Sequence, residues 1–375
     1  MNERGDAMGA FHDMPDLAGR VLGGSVLAAS DESFEAKENL LNPWVPTFRE
    51  GTFGPKGQEY DGWETARRRP DEHGDLGHDW ALVRLGLAGV IRGVVIDTAW
   101  FKGNYPPHAS VEACAVDGYP SVAELAAADW TEIVPRSPLD GDAAHAFPVD
   151  LERRFTHVRL NMFPDGGIAR LRVHGDVVPD PALLAGLTVD LAALENGARV
   201  VRCSNMFYSS PDNMLFPGSA RNQAEGWETA RRRDLTGHDW AEIRLAAPGI
   251  VRVAEIDTTH LKFNAPAAVT LWGLDGRAAD TGDPAAWRPL LPRTRVQPDT
   301  RHRFRVPGAD EITHARLDLH PDGGMARLRL LGDLTPAGLT ALTDRFQRLR
   351  DPQRDDGRPL LADRRPTAPP TARRP

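Results

Sequence analysis

Apolar and polar residues alternate along residues 155–163 and 168–175, and this period of two predicts strands with one buried face. The Pro-Asp-Gly-Gly sequence at 164–167 stands between the two runs and predicts a hairpin turn that joins them. The apolar positions of the runs are Val158, Leu160, Met162, Ala169, Leu171 and Val173, and the opposite face carries Arg159, Arg170 and Arg172.

Further strands are indicated by β-branched-rich runs at 90–96 and 250–256, each of which ends in Asp-Thr. Loops rich in glycine and proline separate these short strands, which is typical of a β-sandwich or jelly roll. Residues 179–196 are rich in leucine and alanine and are followed by Gly197, so they predict a short helical connection. The pattern therefore predicts an all-β protein with one helical connection.

Three sequence blocks occur twice in the same order, which indicates a duplicated domain. GWETARRR begins at 62 and again at 226, GHDW begins at 77 and at 237, and the alternating tract at 155–175 matches 312–332. The duplication and the composition predict a flexible N-terminus at 1–19, a first sandwich at 20–178, a helical linker at 179–197, a second sandwich at 198–349 and a disordered tail rich in proline and arginine at 350–375.

The charge balance and the cysteine count argue against several classes of protein. With 45 basic against 53 acidic side chains, the net charge of −8 argues against a nucleic acid or an anionic membrane as partner. No apolar stretch reaches the length of a membrane span, and the N-terminus lacks the apolar core of a secretion signal. Two cysteines give neither a disulfide framework nor a cysteine metal site. We therefore expect a cytoplasmic protein that binds neither nucleic acid nor membrane.

The two repeated motifs carry residues suited to binding or catalysis. In GWETARRR, Glu64 stands beside three arginines, whose planar guanidinium groups bind carboxylates with two hydrogen bonds. The alternative is a charged run that faces solvent while its tryptophan enters the core. In GHDW, His78 is suited to proton transfer near neutral pH, with a simple turn closed by Asp79 as the alternative. Adjacent strand residues face opposite sides, so His78 and Asp79 are not expected to form a dyad.

The loop after residues 90–96 holds Asp97, Lys102 and Asn104. Loops that follow strands often carry function, and these three side chains suit a small ligand with carboxylate and amide groups. The alternative is a turn formed by Asp97 beside a solvated Lys102.

Glu112 lies in the next expected strand, and its match in the second copy depends on one gap. The match is Thr270 with the gap and Trp272 without it, so the second copy lacks the acid in either case. The spacing of potential ligands gives no metal motif, and there is no phosphate-binding glycine loop or nucleophile elbow. No cofactor is identified, and a divalent metal held by distant residues stays an alternative that the spacing does not support.

The duplicated GWETARRR and GHDW blocks, the tract from Asp97 to Asn104, the Ser-Val-Glu at 110–112 and the Pro-Asp-Gly-Gly turns together resemble the allantoicase family over residues 20–340. The resemblance implies tandem jelly-roll, galactose-binding-like β-sandwiches. It also implies hydrolysis of a carbon–nitrogen bond in a linear amidine, in which allantoate gives (S)-ureidoglycolate and urea during the degradation of allantoin in purine metabolism. The alternative is a non-catalytic β-sandwich that binds a carbohydrate or another small ligand.

The first repeat matches the pattern of the family more fully than the second, which has Phe263 where the family tends to keep glycine between lysine and asparagine. We therefore expect the active site in the first repeat, and a site shared between the repeats is the alternative. We also expect the protein to form a homo-oligomer. The candidates for catalysis are His78, Glu64, Asp97 and, in the first repeat alone, Glu112; those for binding allantoate are Arg68, Lys102 and Asn104; and the second-repeat counterparts are Glu228, Arg232, His238, Asp257, Lys262 and Asn264.

Overall fold

The computed structural model describes residues 11–234 and 236–350, which fold into two successive units of antiparallel strands. Residues 351–375 of the tail predicted at 350–375 and residues 1–10 of the predicted flexible N-terminus lie outside the described residues, whereas Arg350 is the last residue of a helix. The strands of the first unit are β1 (Ser25–Ala29), β2 (Phe53–Gly54), β3 (Gly57–Gln58), β4 (Trp63–Glu64), β5 (Asp79–Asp97), β6 (His108–Cys114), β7 (Thr131–Pro138), β8 (Ala144–Pro148), β9 (Arg154–Phe163), β10 (Gly167–Ile168) and β11 (Arg170–Val177). Those of the second unit are β12 (Thr188–Asp190), β13 (Arg199–Cys203), β14 (Trp227–Glu228), β15 (Asp239–Asp257), β16 (Ala268–Leu274), β17 (Arg288–Arg295), β18 (Arg301–Arg305), β19 (Ile312–His320), β20 (Gly324–Met325) and β21 (Arg327–Leu334).

Helices are few and short in the described part of the chain. The α-helices are α1 (Val122–Ala126) and α2 (Pro336–Arg350), and neither is long and apolar enough to cross a membrane. Turns of 3-10 helix span Arg20–Leu22, Lys37–Leu41, Pro181–Leu183, Leu194–Asn196, Pro211–Leu215, Gln223–Glu225 and Pro284–Ala286.

Each unit is organised by one 19-residue strand, β5 in the first and β15 in the second. The first part of β5 pairs with β1 and β9, the register shifts between Arg84 and Gly89, and the remainder pairs with β8 and β11. In the same way, β15 pairs with β13 and β19 and then with β18 and β21. One strand therefore contributes to both layers of its sandwich, and an apolar core forms between them. The prediction of tandem all-β sandwiches is confirmed.

The tryptophan of each GWETARRR block anchors that block in the core. Trp63 and Trp227 are fully buried. Their indole N–H groups donate to the backbone oxygens of Asp31 and Asn205, over 2.8 and 2.9 Å respectively. Because the indole is fixed at both its ring and its N–H, the glutamate that follows it in the chain is held in a defined place in each repeat.

The prediction of a hairpin at residues 164–167 is wrong. β9 pairs with β6 and with the first part of β5, whereas β11 pairs with the second part of β5, so the turn crosses from one layer to the other. Gly166 adopts a φ of 145° in this turn, and a Cβ there would stand 2.6 Å from the backbone nitrogen of Pro106. Alternation reveals which side chains are buried but not which strand lies alongside. The sequence pattern therefore predicts a pairing between the two strands that the structure does not have.

The boundaries of the two units differ from the predicted ones. Residues 11–19 are predicted to be flexible, yet Leu17 is fully buried and its N–H donates to the backbone oxygen of Val173 over 2.7 Å. The helical connection predicted at 179–197 consists of two 3-10 helices on either side of β12. Because β12 pairs with β21, the second sandwich begins at Thr188.

Helix α2 follows the last strand of the second repeat and packs against the first repeat. Phe346 and Leu349 form an apolar cluster with Val90 and Val178. The guanidinium of Arg154 lies 4.9 Å from the centre of the Phe346 ring. The last helix of the described chain therefore holds the two sandwiches together. The sequence pattern predicts residues up to 349 as part of the second sandwich and predicts no helix there, so this helix is a feature that it does not reveal.

We expect a Phe346→Ala variant to lose about 3–5 kcal/mol of stability, because the truncation leaves a cavity between the repeats. Chemical denaturation of the full chain measures this loss. Gln347→Ala is the matched control, because Gln347 is exposed on the same helix and its truncation is expected to change stability by less than about 0.5 kcal/mol. Equal stability of the two variants would contradict a clamping role for α2.

Candidate active site

A cavity of about 310 Å³ opens beside the loop that follows β5 in the first repeat. It combines aromatic rings with charged and amide side chains, which is typical of a site for a small polar ligand. The lining residues are Phe48, Glu50, Tyr60, Trp100, Lys102, Gly103 and Asn104.

Three stacked or tilted aromatic rings form one wall of the cavity. The ring centres of Phe48 and Trp100 lie 5.7 Å apart, and those of Phe48 and Tyr60 lie 5.1 Å apart. Trp100 has a φ of 71°, and this unusual backbone is held by a 2.8 Å hydrogen bond from its N–H to the Asp142 carboxylate. Its indole N–H also donates to the backbone oxygen of Pro46 over 3.0 Å. The wall is therefore fixed before any ligand arrives.

Asp97 shapes this loop from behind the cavity. Its carboxylate accepts a 2.8 Å hydrogen bond from the N–H of Ala99, which closes the turn that the sequence analysis gave as the alternative. Burial raises the pKa of Asp97. Its side chain is not among those that line the cavity, so the structure separates this catalytic candidate from Lys102 and Asn104.

Glu64 is hydrogen-bonded to Asn104, which lines the cavity, and is not itself one of the lining residues. The side-chain amide of Asn104 donates to Oε1 of Glu64 over 2.7 Å, and only 9% of Glu64 is exposed. Burial raises the pKa of Glu64, the neighbouring carboxylate of Glu35 adds to the rise, and Asn104 and Arg67 oppose it. The structure thus joins two of the predicted site residues, and it gives one of them a carboxyl group that holds its proton more firmly than usual.

Lys102 stands on the open side of the cavity with 70% of its side chain exposed. Its ammonium nitrogen lies 3.9 Å from the Asp142 carboxylate and 5.9 Å from the centre of the Trp100 ring. Both contacts are loose, and an exposed pair at this distance contributes little energy. Lys102 is therefore available to an anionic ligand.

Glu35, which no sequence pattern singles out, lies beside Glu64. The N–H of Glu35 donates to the backbone oxygen of Glu64 over 3.1 Å, and its Oε1 accepts from the N–H of Tyr60 over 2.9 Å. Glu35, Phe48 and Tyr60 lie outside the repeated blocks, in a stretch before Trp63 that is longer than its second-repeat counterpart. A search based on duplication therefore passes over them.

His78 and Glu112 lie in a second cluster, away from the residues that line the cavity. Glu112 accepts hydrogen bonds from Arg159 over 2.8 Å and from Asn161 over 3.0 Å. The His78 ring packs on Phe163, with 5.0 Å between ring centres. Burial lowers the pKa of His78, and the charges of Arg68 and Arg159 lower it further. These two candidates are brought near each other but not to Glu64.

Arg68 is engaged inside the protein. Its Nε and Nη2 both lie 3.1 Å from Oδ1 of the buried Asp79, and its Nη1 donates to the backbone oxygen of Leu76. Arg232 makes the same pair with Asp239 over 3.1 Å in the second repeat. The duplicated arginine thus closes the GHDW turn in both repeats. As expected, Asp79 and His78 form no dyad.

The second repeat keeps the carboxyl–amide pair, but the cavity with its aromatic wall lies in the first repeat. The amide of Asn264 donates to Glu228 over 2.6 Å, and Gln223 donates to the other oxygen of Glu228 over 2.7 Å. Phe263, beside an exposed Lys262, is 99% exposed. The remaining counterparts are held elsewhere: Asp257 is buried and accepts from Thr259, and His238 lies 3.3 Å from Asp318.

The strand register settles the match of Glu112. Glu112 lies opposite Arg159 on β9, and Trp272 lies opposite the matching Arg316 on β19. Trp272 is therefore the counterpart, as the alignment without a gap predicted. In the described ranges 11–234 and 236–350, no group of three or more His, Cys, Asp or Glu side chains is arranged to hold a metal ion.

The duplicated β-sandwich and a cavity with a buried carboxyl group at its edge define a class of protein: a tandem β-sandwich enzyme for a small polar substrate. A family model described as "Allantoicase repeat" matches residues 15–178 and 189–335. The chain therefore belongs to the allantoicase family, and the resemblance drawn from the motifs is confirmed.

Relatives and a solved structure agree with this assignment. A probable allantoicase of Nocardia farcinica is 56% identical over 328 residues, which cover 86% of this chain and 95% of the relative. A probable allantoicase of Streptomyces coelicolor is 51% identical and covers 90% of each chain. The crystal structure of allantoicase from Saccharomyces cerevisiae has a TM-score of 0.71 at 34% identity, over 85% of this chain and 92% of that one.

Proposed function

We propose that this chain is an allantoicase that hydrolyses allantoate to ureidoglycolate and urea in the cavity of its first repeat. The observation that carries the location is the buried Glu64, whose pKa is raised and whose Oε1 is held by Asn104 at the cavity edge. A buried carboxyl group with a raised pKa suits general acid and base chemistry.

The cavity offers a partner for each part of allantoate. The substrate has a central carbon that bears a carboxylate and two planar ureido groups. Lys102 is placed to pair with the carboxylate, because its present contacts are loose. The rings of Phe48 and Trp100 offer flat apolar surface to one ureido group. Asn104, which lines the cavity, places Glu64 beside the other.

Glu64 acts first as an acid and then as a base in the scheme that we propose. The protonated carboxyl gives its proton to the nitrogen of the departing urea as the bond to the central carbon breaks. The lone pair of the remaining ureido nitrogen forms a carbon–nitrogen double bond. The Glu64 carboxylate then takes a proton from water while the water oxygen bonds to the central carbon. One water is consumed, urea leaves, and Glu64 ends protonated.

The other predicted site residues take no chemical step in this scheme. Asp97 closes the loop that carries Lys102 and Asn104, and Arg68 closes the GHDW turn. The His78 ring packs on Phe163, and Glu112 accepts hydrogen bonds from Arg159 and Asn161. The assembly as a homo-oligomer and the cytoplasmic location stay predictions.

We expect Lys102→Met to raise the KM for allantoate by about 10–100-fold while kcat changes little, because it removes a charge-assisted bond to the substrate carboxylate. The measurement is urea release by the purified full chain. Lys262→Met, the same change in the second repeat, is the control and is expected to keep the parental KM. Equal KM values in the two variants would remove Lys102 from carboxylate binding.

The same assay separates the enzyme from the binding alternative. Urea released by the parent with and without a chelator supports hydrolysis by side chains, whereas release that a chelator stops keeps the function and requires a metal. A parent that releases no urea, with or without added divalent metals, and that is stabilised against heat by sugars would support the carbohydrate-binding alternative.

A further inference from the structure

We propose that Glu35 is a positioning residue that holds Glu64 in its proton-donating form and so restricts the acid chemistry to the first repeat. This inference rests on the proposed function, because it concerns the residue that acts on Glu64.

The two glutamates face each other across a β-bridge. Glu35 and Glu64 form an antiparallel bridge, in which the N–H of Glu35 donates to the backbone oxygen of Glu64 over 3.1 Å. Residues directly opposite each other in an antiparallel pair project to the same face, with Cβ atoms about 4.5–5.5 Å apart. Two carboxyl groups therefore share one small region at the edge of the cavity.

Glu35 is fixed on its other side by the cavity wall. Its Oε1 accepts the N–H of Tyr60, whose ring lines the cavity. Burial raises the pKa of Glu35, with Glu59 and Asp61 adding to the rise, and with the Tyr60 N–H and Lys56 opposing it.

A negative charge on Glu35 favours a proton on Glu64. Like charges in one site cannot both ionise freely, so the pKa of one group rises. The groups that act on Glu64 are Glu35, which raises its pKa, and Asn104 and Arg67, which lower it. The net direction is upward because burial and Glu35 act together.

The second repeat supplies a natural comparison. The backbone N–H of Tyr208 donates to the backbone oxygen of Glu228, as the N–H of Phe34 does to that of Glu64, so Ser209 occupies the place of Glu35. The hydroxyl of Ser209 donates to the backbone oxygen of Gly226 over 2.7 Å and accepts from the N–H of Glu228 over 3.0 Å. One backbone hydrogen bond is thus common to the two repeats, while the second carboxylate is replaced by a hydroxyl that bonds the backbone.

The test is the pH dependence of kcat for urea release by Glu35→Gln. Because Glu64 must be protonated to expel urea, kcat falls as pH rises through the pKa of Glu64. Without the Glu35 charge this pKa drops, so the alkaline limb is expected to move to lower pH by roughly one unit, with KM little changed. The glutamine oxygen still accepts from Tyr60, so a purely structural role would leave the limb in place.

Two further variants complete the design. Glu35→Ser copies the residue of the second repeat, whose hydroxyl fits the same backbone, and is expected to shift the limb in the same direction. Ser209→Ala is the matched control and is expected to keep the parental profile. If kcat of the folded Glu35→Gln or Glu35→Ser variant falls at the same alkaline pH as kcat of the parent, the inference is overturned. If Glu64→Gln is inactive at the same time, the proposed function stands; if Glu64→Gln stays active, the proposed site fails as well.

Discussion

A Glu64→Gln variant is expected to release urea from allantoate about 100-fold to 10,000-fold more slowly than the parent, with the loss in kcat. The amide oxygen of glutamine keeps the acceptor that Asn104 bonds in the parent over 2.7 Å, so the cavity edge stays intact. What the variant loses is the proton that the carboxyl gives to the departing urea. Single-turnover measurement of urea formation isolates this step from substrate binding.

The control for this result is built into the chain. Glu228→Gln makes the same change at the same pair in the second repeat, where Asn264 is the donor over 2.6 Å. It is expected to keep the parental rate, because that repeat lacks the cavity wall and the second carboxylate. A Glu228→Gln variant as impaired as Glu64→Gln would support a site shared between the repeats instead.

Arg170→Met is expected to cost about 3–5 kcal/mol of stability, which is the usual effect of breaking a buried ion pair. Arg170 is 1% exposed, and its guanidinium bonds the Asp61 carboxylate over 2.8 Å. It also donates to the backbone oxygens of Asn39, Trp44 and Asp61. These bonds tie strand β11 to the stretch that carries Phe48 and Tyr60, so activity is expected to fall with stability. Denaturant unfolding and the urea assay measure the two losses.

The pH dependence of this loss has a definite sign. Although burial opposes it, the hydrogen bond from Arg170 helps to lower the pKa of Asp61 below its usual value. The stabilisation is therefore present above the usual pKa of an aspartate and is lost as pH falls through the lowered pKa. The gap between parent and Arg170→Met is expected to narrow in acid.

Arg327→Met tests whether Arg170→Met loses activity because the cavity wall is displaced or because the whole protein is destabilised. Arg327 holds the matching place in the second repeat and donates to the backbone oxygens of Gly218, Glu225 and Ala326. We expect this variant to be destabilised while the folded protein keeps its activity at low temperature. An Arg170→Met variant that is fully active when folded would contradict the link between Arg170 and the cavity.

Duplication made much of the fold and part of the site predictable. Glu64, Lys102 and Asn104 lie in blocks that recur in the second copy, and the structure brings all three to one cavity or its edge. A residue retained in two diverged copies is under a common constraint. That constraint is structural for Arg68, which pairs with the buried Asp79, so recurrence alone does not separate folding from function.

The remaining features have no signature in a repeat or a period. Glu35 and Phe48 lie in a stretch that the second copy shortens, and Arg170 ties that stretch to strand β11 through the backbone oxygens of Asn39, Trp44 and Asp61. Helix α2 has no match in the first repeat, and its partners Val90 and Val178 are distant in sequence. Contacts of this kind depend on how the sandwiches are placed, which alternation along one strand does not encode.

The packing of α2 on the first repeat also sets an order for biosynthesis. Strands β1 to β11 leave the ribosome long before residue 349, and until then Val90 and Val178 have no cover from Phe346. Domains form as units during translation, and uncovered apolar surface on a nascent chain invites aggregation. A first repeat expressed alone would therefore keep the apolar surface at Val90 and Val178 exposed to solvent. The two repeats are thus not expected to function as two independent proteins.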